Sequence, residues 1–498
     1  MGLNKNFQIP QEVLKILNAF KAANFEAYIV GGCVRDILLG VEPKDWDIAT
    51  SAKPEEIQKI FPKNFYENKF GTVTVLENGV EIQVTTYRVD VKYSDKRHPD
   101  SVKFTASLKE DLARRDFTVN AMALDLETRN MKHETEENKS FKIQDLRFKI
   151  IDPFGGQEDL KNKIIRTVGD PKERFGEDAL RLMRAIRFAS QLDFLIEEKT
   201  FLSIKNFSSL ISFISQERIR DEFIKTIMTD NAHNGIELMR ETGILKIILP
   251  ELMEGYQVTQ NLHHIYDVYE HNLRALKYAV EQKFSLQVRL TALFHDIGKP
   301  RTKHGDGERA TFYSHDVVGA RIAKKVMERM KFSRQDIDLV VLLVRYHLFY
   351  YNVDEVTPSS VRRLIKNVGL ENMDDLINLR MADRIGSGVP KAEPYKLRHF
   401  RYIVDKVSKD PVSVKMMEID GNDVMKILDI APGPKVGIIL NALLSEVLDN
   451  PEKNNKEKLE NRVTELDKFS ISELADMIKK AEDQIELLET EHRRQFRV

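Results

Sequence analysis

The sequence predicts an α+β protein: a small mixed sheet with flanking helices at the N-terminus, followed by a long all-α body. Three observations predict it. Short apolar runs at Ala27–Val30, 71–76 and 80–87 have strand length and bounded ends. The last two are separated by Glu77-Asn78-Gly79, and an Asn-Gly pair favours a tight hairpin. From Gly176 onward the apolar period is helical to the end, apart from short connections such as Ala431-Pro432-Gly433-Pro434. The 498 residues, 42% hydrophobic and 31% charged, suffice for several packed cores.

In chain order, residues 8–23 read as an amphipathic helix with Val13, Leu14, Ile16, Leu17 and Phe20 at helical spacing. Ala27–Val30 follows as a buried strand, Gly31-Gly32 as a tight turn, and 34–39 as a short helix stopped by Gly40. Strand, glycine turn and helix N-terminus is a geometry in which free N–H groups receive a phosphate. Next comes Asp45-Trp46-Asp47, read as a strand whose period of two turns both carboxylates to one face and Trp46 into the core. Two carboxylates so placed repel unless a cation lies between them, and Mg²⁺, bound by carboxylates plus substrate phosphates, is the natural one. The blander alternative is an ordinary turn followed by an acidic surface strand.

A short helix is expected at 54–61. Residues 88–110 are polar, contain Pro99 and read as a mobile loop, and 129–142 read as a long hairpin loop between ordered strands. Residues 451–498 mix both charges densely with Leu and Ile at helical spacing, as in an exposed terminal helix or helix pair.

Composition excludes several classes. No stretch reaches the roughly 18 apolar residues of a membrane helix, and the start MGLNKNFQIPQE lacks a signal core, so a cytoplasmic protein is expected. Cys33 stands alone, which excludes an intrachain disulfide; it reads as a small filler beside the glycine turn, with a reactive thiol as the alternative. The net charge of −1 makes no global case for nucleic acid, but residues 161–190 carry eight basic against four acidic side chains. That excess fits a phosphate backbone or a solvated helix face.

The run Tyr28–Thr50, with its glycine turn and Asp45-Trp46-Asp47, resembles the nucleotidyltransferase signature of the polymerase β superfamily. DLARRDFTVNA at 111–121, DPFGG at 152–156, EDALR at 177–181, RAIRFASQLDF at 184–194 and ERIRDEF at 217–223 recur in the order that resembles class II tRNA nucleotidyltransferases and related bacterial poly(A) polymerases. The resemblance spans about residues 28–223. It implies a polymerase β-like head and template-free addition of CMP and AMP to the 3′ end of tRNA, with ATP and CTP as substrates. It implies Asp45 and Asp47 as catalytic Mg²⁺ ligands, and Gly31, Gly32, Arg35, Arg115, Asp116, Asn120, Asp178, Arg181 and Arg184 as nucleotide-binding residues. Where the family carries a third carboxylate this sequence has Gln83, with Glu81 two residues earlier on the same strand face; either Glu81 substitutes or two aspartates suffice.

The physical reading runs parallel. Arg35 and the helix N-terminus would supply counter-charge for a triphosphate. Asp178 and Arg181, at i and i+3 of an expected helix, would present an acceptor beside a donor. Cytosine and adenine both match that pattern, whereas uracil and guanine leave both groups unpaired. An intrahelical ion pair is the alternative.

In the body, His271 in VYEHNLRAL, His295-Asp296 in LFHDIGKP and Asp383 in RMADRIGSG resemble the HD metal-phosphohydrolase pattern, with His315 and His347 where two-metal members carry further ligands. That implies a divalent metal, and Lys299 as a phosphate contact; His263 and His264 match less well. The expected organisation is a nucleotidyltransferase head (1–147), a helical nucleotide- and RNA-binding neck (148–250), an HD domain (251–395) and a helical tail (396–498). CCA addition to tRNA is the leading reading, with HD-domain phosphohydrolysis beside it. An A-adding enzyme or poly(A) polymerase is the first rival. A rival of another class is an HD phosphohydrolase with an RNA-binding head, against which the Asp45–Asp47 pair counts.

Overall fold

The computed structural model describes residues 8–66, 71–91, 101–127, 140–142, 147–261, 265–353 and 356–480. The chain divides into two compact units, Met1–Ile248 and Leu249–Val498. In the first, β1 (Gln8–Pro10) leads into the helix Gln11–Ala22, which buries Val13, Leu14, Ile16, Leu17 and Phe20. There follow β2 (Ala27–Val30), β3 (Asp47–Thr50), β4 (Asn64–Tyr66), β5 (Thr72–Glu77), β6 (Val80–Thr86), β7 (Arg88–Val91), β8 (Ser101–Phe104), β9 (Ala123–Glu127), β10 (Ser140–Lys142) and β11 (Arg147–Ile151). Among the described residues one seven-stranded sheet runs in the order β11-β9-β2-β3-β6-β5-β4, and only β3 beside β6 is parallel. The β5–β6 hairpin turns through Asn78 and Gly79, both at positive φ, as the twist of a two-residue hairpin demands.

Four expectations change. The strand of the acidic pair begins only at Asp47; Asp45 lies in the preceding bend, and Trp46 is half-buried rather than in the core. The cause is topological. β2 pairs with β3 up to Ile29↔Ile48 and then turns away at Gly31, so residues 45 and 46 lose that neighbour, and the pairing with β6 begins only at Asp47↔Gln83. The polar stretch 88–110 is structured at both ends: β7 pairs with β8 from Arg88↔Phe104 to Val91↔Ser101, and Ser107 caps the helix Leu108–Ala113. Residues 92–100 of the expected loop lie outside the described residues. β4 was not expected at all. Finally, the helical body contains a two-residue parallel pair of β12 (Ile164–Ile165) and β13 (Leu195–Ile196).

Of the expected hairpin loop 129–142, residues 129–139 lie outside the described residues, as do 481–498 of the terminal stretch, while its end is not loop: Ser140–Lys142 forms β10 and pairs antiparallel with β1. β9 and β11, which flank that loop, pair antiparallel from Arg147↔Glu127 to Ile151↔Ala123.

The second unit is helical. Val268–Glu281, Leu286–Phe294, Arg334–Tyr346 and Met373–Gly386 bury Ala275, Ala292, Leu343, Ile377 and Leu379 in one core. Val424, Ile439, Leu443, Leu459 and Leu474 form a second core nearer the C-terminus. No helix among the described residues is long and apolar enough to cross a membrane.

Candidate functional site

In the first unit the site is assembled on the turn after β2. Gly31 has φ +84, and a Cβ there would fall 2.6 Å from Arg115 Nη1 and 3.7 Å from Asp47 Oδ2. The backbone angle requires glycine, and any side chain there would displace the end of Arg115. The turn draws Arg115 and Asp47 against the first turn of the helix Gly32–Leu39, which Gly40 ends in the left-handed region. Cys33 is buried there with Sγ 3.0 Å from the Val30 carbonyl, and burial pushes its thiol up to about 12, so it is an inert filler.

Asp47 is half-buried. Burial raises its pKa, Arg115 opposes the shift, and Asp45 adds to it, so the two carboxylates feel each other. The parallel register sets Gln83 directly beside Asp47, while Glu81 pairs one step further along with Leu76.

Behind the turn lies a network of guanidinium groups. Arg35 is buried; Nη1 donates to Asn120 Oδ1 at 2.7 Å, and Nε and Nη2 donate to Asp36 Oδ1 at 2.8 and 2.7 Å. These three bonds use three of its five N–H groups and tie the helix Gly32–Leu39 to Asn120. Asn120 passes the connection on, donating to Asp116 Oδ1 at 3.2 Å. Asp116 Oδ2 accepts from Arg184 Nε and Nη2 at 2.8 and 2.6 Å. Burial would raise the Asp116 pKa, but the Arg184 guanidinium outweighs it and holds the carboxyl at about 2. Phe188 packs among Arg35, Arg184 and Arg187, whose guanidinium carbons lie 5.2, 5.4 and 3.8 Å from the ring centroid.

Asp178 and Arg181 do not occupy one helix. Asp178 sits in the break between the helices Pro171–Glu177 and Arg181–Leu192, with its Oδ1 accepting from the Leu180 N–H at 3.0 Å. Its carboxylate pairs with Arg218 at 2.8 Å. Arg181 pairs with Glu177 and donates to the Arg114 carbonyl at 3.0 Å and the Arg174 carbonyl at 3.2 Å. The two residues therefore do not pair with each other, yet Asp178 acts electrostatically on Arg184, and Arg181 on Asp116. Arg218 and Phe188 were missed as members of the site, although both stand in motifs that the sequence displays.

In the second unit a separate cluster is fully buried. Asp267 caps the helix carrying His271, Ser285 caps the helix that delivers His295, and Asp383 lies on Met373–Gly386. His315 opens the helix His315–Arg329; this requires Gly298, whose Cβ would meet the His315 carbonyl at 2.3 Å. Asp296 stands in the middle. Its Oδ2 lies 3.1 Å from His271 Nε2, 3.4 Å from His295 Nε2 and 2.6 Å from Lys299 Nζ, while its Oδ1 lies 3.3 Å from His315 Nε2 and 3.6 Å from His347 Nε2. Asp383 Oδ1 completes the first side at 3.3 Å from His271 Nε2.

The imidazoles are pre-set. Nδ1 of His295, His315 and His347 reaches the carbonyl three residues back, at 2.9, 2.6 and 2.7 Å, which as a donor bond turns the Nε2 lone pairs of His315 and His347 toward Asp296, while His295 Nε2 lies 2.9 Å from His271 Nε2. The buried Nε2 atoms of His315 and His347 have no hydrogen-bond partner. Burial would lower the His295 pKa, but Asp296 and Asp383 lift it to about 10. An oxygen–imidazole donor set with orphaned nitrogens fits a divalent metal, and His271, His295 and Asp296, or Asp296, His315 and His347, converge closely enough to hold one. Lys299, bonded to Asp296 and to Gln260 Oε1 at 2.7 Å, is buried and engaged within the cluster. His263 and His264 lie outside the described residues.

Three family models match the chain: the poly(A) polymerase head domain over residues 27–166, a probable RNA- and SrmB-binding site of polymerase A over 193–255, and the HD domain over 268–385. The CCA-adding enzyme of Ligilactobacillus salivarius (strain UCC118) is 35% identical over 459 residues, covering 91% of this chain and 96% of that protein. The CCA-adding enzyme of Streptococcus thermophilus (strain CNRZ 1066) is 34% identical and covers 90% and 95%. Among solved structures, the CCA-adding enzyme of Bacillus stearothermophilus in complex with CTP superposes with a TM-score of 0.65 at 28% identity, over 92% of this chain and 97% of that one.

Proposed function

Since this chain belongs to the family of CCA-adding enzymes, we propose that it completes the 3′ end of tRNA by adding CMP and AMP from CTP and ATP, and that the turn at Gly31 carries the chemistry. The observation that supports this best is the approach of Arg115 and Asp47 to Gly31, where a Cβ would stand 2.6 Å from Arg115 Nη1 and 3.7 Å from Asp47 Oδ2, a backbone cradle with a cation and a carboxylate at its rim. Asp45 and Asp47 fit Mg²⁺: both are hard oxygen donors, they interact, and Asp47 is desolvated. When bound there, divalent ions neutralise the triphosphate and favour attack by the RNA 3′-hydroxyl on the α-phosphorus, with pyrophosphate leaving. Gln83, beside Asp47, offers an amide oxygen where a third carboxylate was sought.

The chain's own residues supply position and discrimination. Arg115 and the helix N-terminus receive phosphate oxygens. Arg35, through Asn120, and Arg184 hold Asp116 ionised at the same wall. Asp178, kept in place by Arg218 and the Leu180 N–H, and Arg181 read the base edge from opposite sides of a helix break, so that C and A satisfy both and U and G satisfy neither.

A second activity is favoured by the buried cluster in the other unit. His271, His295, Asp296 and Asp383, with His315 and His347 on the far side of Asp296, would hold one or two divalent transition metals, and such an ion supplies an activated water for phosphoester hydrolysis. The segments 1–147, 148–250, 251–395 and 396–498 are read as head, neck, HD domain and tail. A protein acting on tRNA with ATP and CTP is read as cytoplasmic.

The test is product length. Incubated with tRNA lacking its 3′ end, or ending in C or CC, and with CTP and ATP singly and together, the protein should stop at CC with CTP alone and at CCA with both. Long A tails, or addition of A only, would instead support a poly(A) polymerase or an A-adding enzyme.

A further inference from the structure

Outside both sites, one helix of the second unit presents an unusual face. Tyr395–Val407 buries Leu397, Phe400, Ile403, Val404 and Val407, and so spends its apolar stripe on the core. Its other side carries Tyr395 and Tyr402, each 62% exposed, with half-buried His399 between them. The three rings form a ladder, with centroids 6.2 Å apart from Tyr395 to His399 and 6.4 Å from His399 to Tyr402. The spacing i, i+4, i+7 keeps all three in one row.

The surroundings of the ladder are cationic rather than apolar. Exposed Lys396, Arg398 and Lys406 flank it, against Asp405 on the same side. Nearby carboxylates are already occupied: Glu393 by Arg401 at 3.3 Å and Asp410 by Arg362 at 2.9 Å. A partner protein docking through apolar contact would meet lysine and arginine between the rings. A polyanion bearing flat rings meets cations at its phosphates and aromatic faces at its bases.

We propose that the Tyr395–His399–Tyr402 ladder, with Lys396, Arg398 and Lys406 beside it, is a docking surface for unpaired nucleotides of the RNA substrate. Bases stack on the tyrosine rings while the basic side chains take the backbone, so the surface contributes to RNA affinity and not to the chemical step. The inference rests on the reading of the protein as a tRNA-acting enzyme.

The test uses the full chain and a tRNA ending in CC, with ATP. The double variant Tyr395→Ala, Tyr402→Ala should raise KM for tRNA about tenfold, leaving kcat and KM for ATP within twofold. The Tyr395→Phe, Tyr402→Phe variant keeps the rings and should stay within twofold of wild type throughout. The pair Lys396→Gln, Lys406→Gln should lessen the salt dependence of tRNA binding, as removal of phosphate contacts does. An unchanged KM for tRNA in the alanine variant, or equal losses in the alanine and phenylalanine variants, would overturn the proposal. Equilibrium titration with the same tRNA separates it from the activity reading: wild type that binds tRNA without extending it refutes that reading, whereas an alanine variant that extends and binds like wild type refutes only the docking surface.

Discussion

The two candidate sites handle charge in opposite ways. In the head, Asp45 is exposed and Asp47 half-buried, and the buried Arg35 and half-buried Arg184 nearby are already bonded to carboxylates and an amide. In the helical unit His271, His295 and Asp296 are buried outright, and the imidazoles of His295, His315 and His347 are held by backbone carbonyls so that their Nε2 atoms turn toward Asp296. The first arrangement suits a cation that arrives with a phosphorylated substrate, because the open carboxylates need partners only while substrate is present. The second suits a resident ion, since buried carboxylates and orphaned nitrogens are costly without one. Burial, more than residue type, distinguishes the two.

The sharpest break of this contrast is Asp296→Ala. Asp296 touches both sets of imidazoles, so its loss should reduce bound divalent transition metal from stoichiometric to trace and abolish phosphoester hydrolysis, with nucleotide addition within twofold of wild type. Elemental analysis of the dialysed protein, run against an Asp45→Ala, Asp47→Ala background, measures it. Metal retained at wild-type level would show that the cluster is not a metal site.

Next in size is Asp116→Ala in the head. It takes the bidentate partner from a half-buried Arg184 guanidinium that keeps Glu222, at 3.9 Å, and the loss of such charged hydrogen bonds costs about 1.5–3 kcal/mol. Urea unfolding of the variant should show it, and a change below about 1 kcal/mol would mean that solvent takes over the role of Asp116.

Asp178 offers a smaller and more specific break. Arg218→Ala removes its guanidinium partner but not the Leu180 N–H bond, so the preference for CTP over UTP should fall by roughly tenfold, as the loss of one oriented polar contact implies. Competition assays with both nucleotides read this directly. Equal losses on every nucleotide would make the Arg218–Asp178 pair purely structural.

The mildest effect is on acid stability. Asp116 has a folded pKa of about 2 against an ordinary 3.8, so the unfolded chain binds more protons at low pH. Its stabilisation, on the order of 2 kcal/mol, is complete above roughly pH 4 and is lost as pH falls through about 2. The acid limb of an unfolding curve in Asp116→Asn should flatten in that window; an unchanged limb would assign the acid sensitivity elsewhere.

What the sequence made legible follows from how local each signal is. The β2 strand, the Gly31 turn and the helix stopped at Gly40 are set by adjacent residues, and their positions agree with the sequence reading to within about two residues. Asp45 and Trp46 were misjudged because their strand depends on a neighbour, β2, that has already turned away. The paired ends of 88–110 were hidden because Arg88–Val91 and Ser101–Phe104 are short, polar on alternate residues and separated by nine others. Arg218 could not be assigned to the site from spacing, because tertiary packing brings it to Asp178, whereas Phe188 stands four residues from Arg184 on one helix and was within reach of spacing. The HD cluster, by contrast, was recognisable from His271, His295-Asp296 and Asp383, and Ala292, Ile377 and Leu379 do share the core that unites their helices.

The claim that the head does the nucleotide addition is tested most directly by single-turnover AMP incorporation into tRNA ending in CC, comparing wild type with Asp47→Ala at saturating ATP and Mg²⁺. Asp47→Ala should lose roughly a thousandfold or more in the chemical step, with tRNA affinity within about threefold of wild type. Incorporation by Asp47→Ala near the wild-type rate would contradict that claim.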